Sequence, residues 1–291
     1  MRTFTDVVRE AEKGKTAIAH FNVATLEQMN AVARIAKKMN LPVVVGVSEG
    51  EHEFMGFSRI IALRDAYRRE RIEMYVNADH TRSFEKVDEA ARAGCDSVIF
   101  DAAHLPLEEN IAKTKIAVDI VRKRSGWFRK IIVEGELGYI GTSSKLLDAI
   151  PEGAAVDSDN LTSPEDAGRF VRETGVDMLA PAVGNIHGML KNVPNPRLDT
   201  GRIAEIRKAA GVPIVLHGGS GISDADFTAA IAAGISLIHI STELRLAWKR
   251  GLEESLGENP GETAPYKLLA KSVLYLEDVT ERRMKLFSGI Q

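Results

Sequence analysis

The sequence predicts an α/β protein, a (β/α)8 TIM barrel with a C-terminal helical extension. Three observations predict this fold: eight short apolar runs recur along the chain, amphipathic stretches separate them, and the runs are continuously rich in Val, Ile and Leu. Continuous apolar runs are typical of parallel strands that are covered on both faces. Eight such units in roughly 250 residues favour a closed barrel, with an open doubly wound sheet as the alternative.

The predicted strands and helices alternate in chain order. The strand sequences are TAIAHFNV, PVVVGVS, EMYVNAD, SVIFDA, KIIVEGELG, MLAPAVG, PIVLHGG and LIHIST. The helical stretches between them include TLEQMNAVARIAKKMN, SFEKVDEAARAG, LEENIAKTKIAVDIVRKR, SPEDAGRFVRETG and SDADFTAAIAAG. Several of these begin at Ser or Thr with an acid shortly after, and several end at Gly or Asn, as capped helices do. No Gly-x-Gly-x-x-Gly follows the first strand, which disfavours dinucleotide binding.

The domain organisation follows from the same pattern. Residues 1–291 are predicted to form one (β/α)8 barrel domain, with residues 264–291 as a helical tail. Residues 139–161 have no strong period and are long for a loop between a strand and a helix, which is typical of a mobile lid.

Composition excludes several classes of protein. Apolar residues make up 44% of the chain, charged residues 27%, and the net charge is −3, so a globular protein is expected and a nucleic-acid-binding surface is not. No apolar run approaches the ~20 residues that cross a bilayer, and the charged N-terminal stretch lacks the apolar core of a secretion signal. The single cysteine, Cys95, cannot form an intrachain disulfide. A cytoplasmic protein without membrane or nucleic-acid partners is therefore expected.

Polar side chains lie at the ends of the predicted strands, where a barrel would gather them at one mouth. Three of them are histidines, and three converging imidazoles with an open coordination position are what a catalytic zinc site needs. An aspartate directly precedes the first histidine, so it can exchange a proton with a substrate beside the metal. The alternative is that the histidines are hydrogen-bonded structural residues. The strand-end residues are Asn22, Ser48, Asp79, His80, Asp101, Glu136, His187, His217, Ser241 and Thr242.

Small-residue loops after the last two strands indicate a phosphate site. The stretches are HGGSG and ISTE, and backbone amides in such loops at helix N-termini suit a phosphate group. In TIM barrels the loops after strands seven and eight are the usual place for it.

The motifs together resemble one family over most of the chain. The stretches AHFNVATLEQMNAV, PVVVGVSEGE, NADHTRSFEKVDEAARAGCDSVIFDAAHLPLEENI, GELG, GVDMLAPAVGNIHG, GVPIVLHGGSGI and ISTE occur in this order. They resemble the class II, zinc-dependent fructose-bisphosphate and tagatose-bisphosphate aldolases.

The resemblance implies roles for individual residues. It implies that His80, His187 and His217 bind Zn²⁺ or another divalent metal, that Asp79 is the acid/base for the C4 oxygen, and that Glu136 is a second metal-binding carboxylate. It also implies a dihydroxyacetone phosphate site with a monovalent cation, Na⁺ or K⁺, near its glycines. The residues of that site are Gly188, Gly218, Gly219, Ser220, His239, Ser241 and Thr242. Asp101 matches an acid that orients a ligand or the substrate, and Lys191 is expected near phosphate.

The chain departs from the family pattern at several points. Asn77 stands where the family usually has His, and His239 where it has Asn, so we expect an imidazole that titrates over roughly pH 6–7 and makes substrate affinity depend on pH. Ser143 and Ser144 stand in the loop that normally carries the base for dihydroxyacetone phosphate. Three bases remain as alternatives: Asp148, Glu136 and a hydroxide on the metal. The arginine that the fructose enzymes use for the distal phosphate is not evident in the tail.

The predicted function is metal-dependent, reversible aldol cleavage of a ketose bisphosphate in carbohydrate metabolism. The first candidate substrate is fructose 1,6-bisphosphate, which gives dihydroxyacetone phosphate and glyceraldehyde 3-phosphate in glycolysis. The alternatives are a tagatose-bisphosphate or other ketose-phosphate aldolase, and a catalytically weak relative that binds metal and a sugar phosphate. The resemblance implies a homodimer or homotetramer.

Overall fold

A closed barrel of eight parallel strands forms the centre of the protein in the computed structural model, which describes residues 2–126 and 130–290. The predicted TIM barrel is therefore confirmed. Around the ring the strand order is β1, β10, β9, β7, β5, β4, β3, β2, and a two-stranded sheet of β6 and β8 lies outside it. The barrel strands are β1 Ile18–Asn22, β2 Val43–Val47, β3 Met74–Thr81, β4 Ser97–Phe100, β5 Ile132–Leu137, β7 Met178–Pro181, β9 Ile214–Leu216 and β10 Ile235–Ile240; the outer pair is β6 Leu146–Leu147 and β8 Met189–Leu190.

Helices surround the barrel and close its N-terminal end. They are α1 Phe4–Gly14, α2 Leu26–Met39, α3 Glu49–Met55, α4 Phe57–Arg69, α5 Phe84–Ala93, α6 Leu107–Arg124, α7 Pro164–Thr174, α8 Thr200–Ala210, α9 Asp224–Ala233, α10 Thr242–Glu258, α11 Pro265–Leu268 and α12 Ala270–Ser288. Sequence patterns did not single out α1, which begins with a capping box in which Thr3 and Asp6 satisfy each other's backbone amides. In the described ranges, none of the helices is both long and apolar enough to cross a bilayer.

The lower part of the barrel interior is apolar. Inward-facing side chains of seven strands pack there against the buried face of α1, which plugs the N-terminal end of the barrel. Burying such side chains supplies most of the favourable free energy of folding. We call this set the apolar layer: Ile18, Val44, Tyr75, Ile132, Met178, Val215 and Leu237.

Two residues further along several of the same strands, the interior becomes polar. Alternation along a strand returns each second side chain to the same face, so these residues also point inward. They are at most 4% exposed although all can ionise or hydrogen-bond. We call this set the polar layer: His20, Asn77, Glu134, His217 and His239.

A glycine makes the polar layer possible at one point. A Cβ atom at Gly46 would lie 2.1 Å from the Cε1 atom of His20, far inside van der Waals contact. The missing side chain on β2 therefore gives the imidazole of β1 its space. Nε2 of that imidazole lies 3.2 Å from Oδ1 of Asn77, and Nδ2 of Asn77 donates to Oγ of Ser97.

The C-terminal helix α12 joins the two ends of the barrel sheet. It packs against α2, α10 and β1, and the backbone amide of Ala17 donates to the carbonyl of Phe287 over 2.8 Å. Arg283 on α12 donates to both carboxylate oxygens of Glu243 on α10. The predicted tail is thus helical and covers the seam where β1 pairs with β10.

Candidate active site

A cavity of about 390 Å³ opens at the C-terminal ends of the barrel strands. This end of a TIM barrel carries the active site in characterised enzymes of the fold. Most of the residues that the sequence predicted for a site line this cavity. The lining residues are Asn22, Ser48, Glu49, Gly50, Asp79, His80, Arg82, Thr142, Ser144, His187, Gly188, Gly218, Ser220, His239, Ser241, Thr242 and Arg245.

The three predicted histidines converge on one point. One nitrogen from each of His80, His187 and His217 lies within 4.8 Å of the others, which is close enough for a shared metal ion. The His80 ring centroid lies 4.8 Å from that of His187 and 4.9 Å from that of His217. They come from β3, from the loop after β7 and from the end of β9, so the barrel, not local sequence, brings them together.

Two of these imidazoles are held through one nitrogen each. Nδ1 of His187 lies 2.6 Å from the carbonyl oxygen of Gly141, and Nε2 of His217 lies 2.7 Å from Oε1 of Glu134. Metal-bound histidines in proteins are typically fixed in this way through the nitrogen that does not face the metal. Within the described part of the chain, the other nitrogen of His217, Nδ1, is buried without a hydrogen-bond partner. The residues therefore fit a divalent metal.

A local irregularity in β3 aims the first histidine. The predicted strand EMYVNAD ends at Asp79, but β3 continues to Thr81 and shifts register against β4 between Ala78 and Thr81. His80 adopts a φ of 52°, an uncommon value for a residue other than glycine. Such bulges turn side chains toward functional sites. Nδ1 of His80 lies 3.2 Å from Oδ2 of Asp101 and 3.1 Å from Oε2 of Glu136.

The carboxylates around the histidines stabilise positive charge at this point. Burial alone would lower the pKa of His217, but Glu134 and Glu136 raise it to about 10. Burial also opposes a charge on His80, yet Asp79 and Glu136 hold the pKa of its imidazole well above the usual value. Burial lowers the pKa of His187 to about 4. A site that favours cations this strongly also suits a divalent metal in place of protons.

Asp79 lies beside the histidines with one oxygen available. Its Oδ2 accepts a hydrogen bond of 2.7 Å from Nδ2 of Asn22. Its Oδ1 is buried and lacks a hydrogen-bond partner among the described residues, and it lies 3.5 Å from Nε2 of His80. Burial would raise the pKa of Asp79, but His80, His239 and His20 together hold that pKa well below its usual range. The arrangement leaves an ionised oxygen for a substrate proton.

His239 lies below the histidine trio, stacked between two other rings. Its centroid is 3.5 Å from that of His20, with the planes 4° apart, and 4.2 Å from that of His217. Burial, together with repulsion from His20 and His217, holds the pKa of His239 well below its usual value. The expected titration over pH 6–7 is therefore wrong, because the ring is desolvated inside the barrel and stays neutral there.

The loops after β9 and β10 form one polar wall of the cavity. The Oγ atom of Ser220 accepts hydrogen bonds of 3.2 Å from the backbone amides of Ser241 and Glu243. Its own hydroxyl hydrogen therefore remains available to a ligand. Oγ of Ser241 is buried, and the described residues offer it no hydrogen-bond partner. A Cβ at Gly218 would lie 2.2 Å from the carbonyl oxygen of Ile186, and Gly188 has a φ of 98°, so both positions require glycine.

Six predicted site residues lie outside the cavity lining: Asp101, Glu136, Asp148, Lys191, His217 and Gly219. Asp101 borders a neighbouring cavity with Glu136, and Gly219 packs beneath the wall against β10. The carboxylate of Asp148 accepts a hydrogen bond of 2.8 Å from Lys191, and the two side chains are 83% and 43% exposed. This ion pair lies at the β6–β8 sheet, which attaches the loop over residues 139–161 to the segment after His187.

The sequence analysis missed several residues that the barrel brings to the site. Glu134 stands two positions before Glu136 in the same strand, and period-two alternation could have placed both on one face. His20 sits in the middle of an apolar strand, two positions before Asn22, and the same argument applies. Arg82 and Arg245 carry no comparable signal, because they reach the cavity from a loop and a helix. The same holds for Glu51, which lies directly behind the lining residues Asn22 and Ser48.

Fold and site together define a class of protein. A parallel barrel with three imidazoles and several carboxylates at its C-terminal mouth is a metal-dependent barrel enzyme. The chain belongs to the class-II fructose-bisphosphate aldolase family, whose model matches residues 2–290. It is therefore a lyase of a metal-dependent family.

Similar proteins cover nearly the whole chain. A probable fructose-bisphosphate aldolase of Bacillus subtilis (strain 168) is 34% identical over 291 residues, which are 99% of this chain and 97% of that protein. The fructose-bisphosphate aldolase of Geobacillus stearothermophilus is 34% identical over 91% of this chain and 88% of its own length. The crystal structure of the YdjI aldolase from Escherichia coli K12 is 30% identical, with a TM-score of 0.79 over 99% of this chain and 97% of that chain.

Proposed function

We propose that the protein cleaves a ketose 1-phosphate reversibly into dihydroxyacetone phosphate and an aldehyde. Fructose 1,6-bisphosphate, which the names of the relatives indicate, is the first substrate to test. The observation that carries the proposal is the convergence of His80, His187 and His217 within 4.8 Å, with Asp79 beside them.

The three histidines are the proposed ligands of Zn²⁺, and Glu136 offers an alternative ligand position. A bound zinc ion would polarise the substrate ketone and stabilise negative charge that develops on its oxygen. Glu134 and the carbonyl of Gly141 fix the ring orientations of His217 and His187, and Asp101 does so for His80. Three imidazoles favour zinc over magnesium or calcium, which prefer oxygen ligands.

Asp79 is the proposed acid/base. In cleavage it takes the proton of the C4 hydroxyl as the bond between C3 and C4 breaks, and in condensation it returns a proton to the aldehyde oxygen. Asn22 holds one of its oxygens, which leaves the other for the substrate.

The glycine- and serine-rich wall is the proposed site for the phosphate of dihydroxyacetone phosphate. Three observations support it. The hydroxyl hydrogen of Ser220 is available, and Oγ of Ser241 has no hydrogen-bond partner among the described residues. Gly188 and Gly218 pack closely against backbone carbonyls beside them. Contacts from Ser48, Gly219, His239 and Thr242, and a nearby Na⁺ or K⁺, complete the proposal. Lys191 reaches phosphate only if it leaves Asp148.

Asp148, Glu136 and a hydroxide on the metal are the alternatives for the base that removes the C3 proton. Glu136 lies inside the site, where burial would raise its pKa but His80 and His217 hold that pKa well below the usual range. Asp148 must swing in from the loop over residues 139–161. Glycolysis in the cytoplasm, with a homodimer or homotetramer as the working assembly, stays a prediction, as does a single domain over residues 1–291.

A coupled assay tests the proposal. Release of triose phosphate from fructose 1,6-bisphosphate is expected to disappear with a chelator and to return with zinc. Tagatose 1,6-bisphosphate, the C4 epimer, is the matched comparison for ketose stereochemistry. No release from these two sugars or from fructose 1-phosphate, with any divalent metal, would overturn the proposal.

A further inference from the structure

A buried carboxylate, that of Glu51, lies in the part of the cavity wall formed by β1, α10 and the segment after β2. Glu51 is 9% exposed, and its carboxylate accepts four hydrogen bonds there. Oε2 accepts from Nδ2 of Asn22 at 3.1 Å, from the amide of Ser48 at 2.8 Å and from the Ser48 hydroxyl at 2.9 Å. Oε1 accepts from Nη2 of Arg245 at 2.7 Å. The three residues that supply these donors all line the cavity.

A helix cap does not account for this arrangement. Glu51 and Ser48 form a capping box at the start of α3, which explains the hydrogen bond from the Ser48 amide, and the Ser48 hydroxyl bond is local to the same helix start. The other two donors come from β1 and from α10, which lie far away in sequence. They converge on Glu51 because their elements meet at the barrel mouth. The carboxylate therefore also neutralises a cation of the cavity wall.

The second arginine of the cavity is also paired. Nε and Nη2 of Arg82 each lie 3.1 Å from Oδ2 of Asp101. Arg82 and Arg245 are the two Lys or Arg residues that line the cavity in the described part of the chain. Every such cation in the wall thus has a carboxylate partner before a substrate arrives.

The position of Glu51 assigns it to one half of the substrate. The proposed phosphate wall of dihydroxyacetone phosphate comes from the loops after β9 and β10, whereas Ser48 and Glu51 follow β2. In the ring, β2 lies beyond β1 and next to β3, which carries Asp79. Because Asp79 handles the oxygen on the aldehyde side of the broken bond, the wall next to it faces the aldehyde.

We propose that Glu51 is a specificity-determining residue that makes the aldehyde half of the site prefer an uncharged, hydroxyl-bearing aldehyde over a phosphorylated one. The inference rests on the proposed function and narrows its substrate class. A phosphate at this wall would be repelled by the like charge of Glu51, which lies directly behind Asn22 and Ser48, and would find Arg245 already neutralised. Hydroxyl groups would meet no such repulsion and can hydrogen-bond to Ser48.

Condensation tests the inference without fixing the ketose product. In this direction the C3 carbon of dihydroxyacetone phosphate loses a proton and bonds to the aldehyde carbon, whose oxygen gains a proton. The zinc-loaded full-length protein is given dihydroxyacetone phosphate with D-glyceraldehyde or with D-glyceraldehyde 3-phosphate. The measured quantity is kcat/KM for each aldehyde and the ratio of the phosphorylated to the neutral value.

The parent protein is expected to use D-glyceraldehyde at least as well as its phosphate. In Glu51→Gln, which keeps the size of the side chain, the ratio is expected to rise by about tenfold or more, because close like charges in a shielded site repel by more than the energy of a tenfold change. Adding Arg245→Gln to that variant should lower the ratio again, because part of the rise comes from the guanidinium that Glu51 no longer neutralises. The KM of dihydroxyacetone phosphate should not change.

Glu53→Gln is the matched control. It removes the same charge from the same helix, but Glu53 is 63% exposed and pairs with Lys86 outside the cavity, so the ratio should stay at the parent value. Glu51→Ala serves as a second test of the same charge, with circular dichroism to show that α3 is retained.

The outcomes separate the two proposals. A parent that forms no carbon–carbon bond with either aldehyde overturns the proposed function and this inference with it. A parent that condenses both aldehydes, with a ratio that Glu51→Gln and Glu51→Ala leave unchanged, overturns the inference alone. So does a parent that prefers the phosphorylated aldehyde by more than about tenfold.

Discussion

The apolar layer and the polar layer of the barrel interior lie on the same strands, two residues apart. The apolar layer packs against α1. In the polar layer, several buried atoms lack hydrogen-bond partners among the described residues, including Nδ1 of His20, Oε2 of Glu134 and both ring nitrogens of His239. Each such atom costs about 1–3 kcal/mol. The comparison teaches that one end of each strand supplies stability, which lets the other end hold groups that are costly to bury.

The strongest way to break the polar layer is to remove a proposed metal ligand. His217→Ala is expected to lose bound zinc and to reduce cleavage below detection, because two imidazoles remain of three. Its control on the same strand is Val215→Ala in the apolar layer, which should lower the free energy of unfolding by ~2 kcal/mol and keep the metal. Metal analysis and chemical denaturation measure the two effects. Stoichiometric zinc retained in His217→Ala would contradict the assignment.

Removing Asp79 should separate proton transfer from metal binding. Asp79→Ala is expected to keep zinc and to lose about 10²-fold or more in turnover, the usual effect of a positioned acid/base. Tyr75→Phe, on the same strand in the apolar layer, removes a hydroxyl that donates to the carbonyl of Arg2 and should leave turnover unchanged. If Asp79→Ala folds but loses its metal, Asp79 serves the metal site and not the proton.

Glu134 distinguishes the two layers by a smaller effect. Glu134→Gln keeps the shape of the side chain but weakens the contact that orients His217, so zinc affinity should fall by about 10–100-fold. Ile132→Val, two residues earlier on β5, should lower the free energy of unfolding by about 0.5–1.5 kcal/mol without a change in zinc affinity. Titration with a competing chelator measures the affinities. Equal zinc affinity in the parent and Glu134→Gln would show that the ring is held by other contacts.

The smallest change adds one methyl group within the polar layer, at Gly46 beside His20. Gly46→Ala should lower the free energy of unfolding by about 1–3 kcal/mol, because its Cβ would overlap the ring of His20. The double variant with His20→Ala should recover much of that loss, since the methyl group then has space. Thermal or chemical denaturation of the four proteins completes the cycle. Additive losses in the double variant would mean that the two side chains do not compete for the same volume.

The sequence predicted the barrel and the histidine trio for a physical reason. Parallel strands in a closed ring direct their carboxyl ends to one mouth, so a polar residue at a strand end is assigned a place by topology alone. His187 and His217 needed no further information. The continuation of β3 through His80 to Thr81 depends on a bulge, which sequence periodicity does not reveal.

Other parts of the site depend on contacts between distant elements. From the sequence, Glu51 is only a capping residue of a short helix. Its contact with Arg245 of α10 becomes visible only in the folded structure. The prediction that His239 titrates over pH 6–7 was wrong because its burial depends on stacking against His20, a residue of another strand. Such side chains acquire their role from packing, and a pattern within one segment does not contain it.

The seam between β1 and β10 also imposes an order on the making of the molecule. β1 pairs Ile18 with Leu237, and α12 then covers the junction. A ribosome adds about 5–20 residues per second, so the first strand waits roughly ten to forty seconds for its second neighbour. During that time one edge of the sheet stays open to other chains. A nascent chain that stops before β10 therefore has an open sheet without His239, and the complete mouth exists only after the ring has closed.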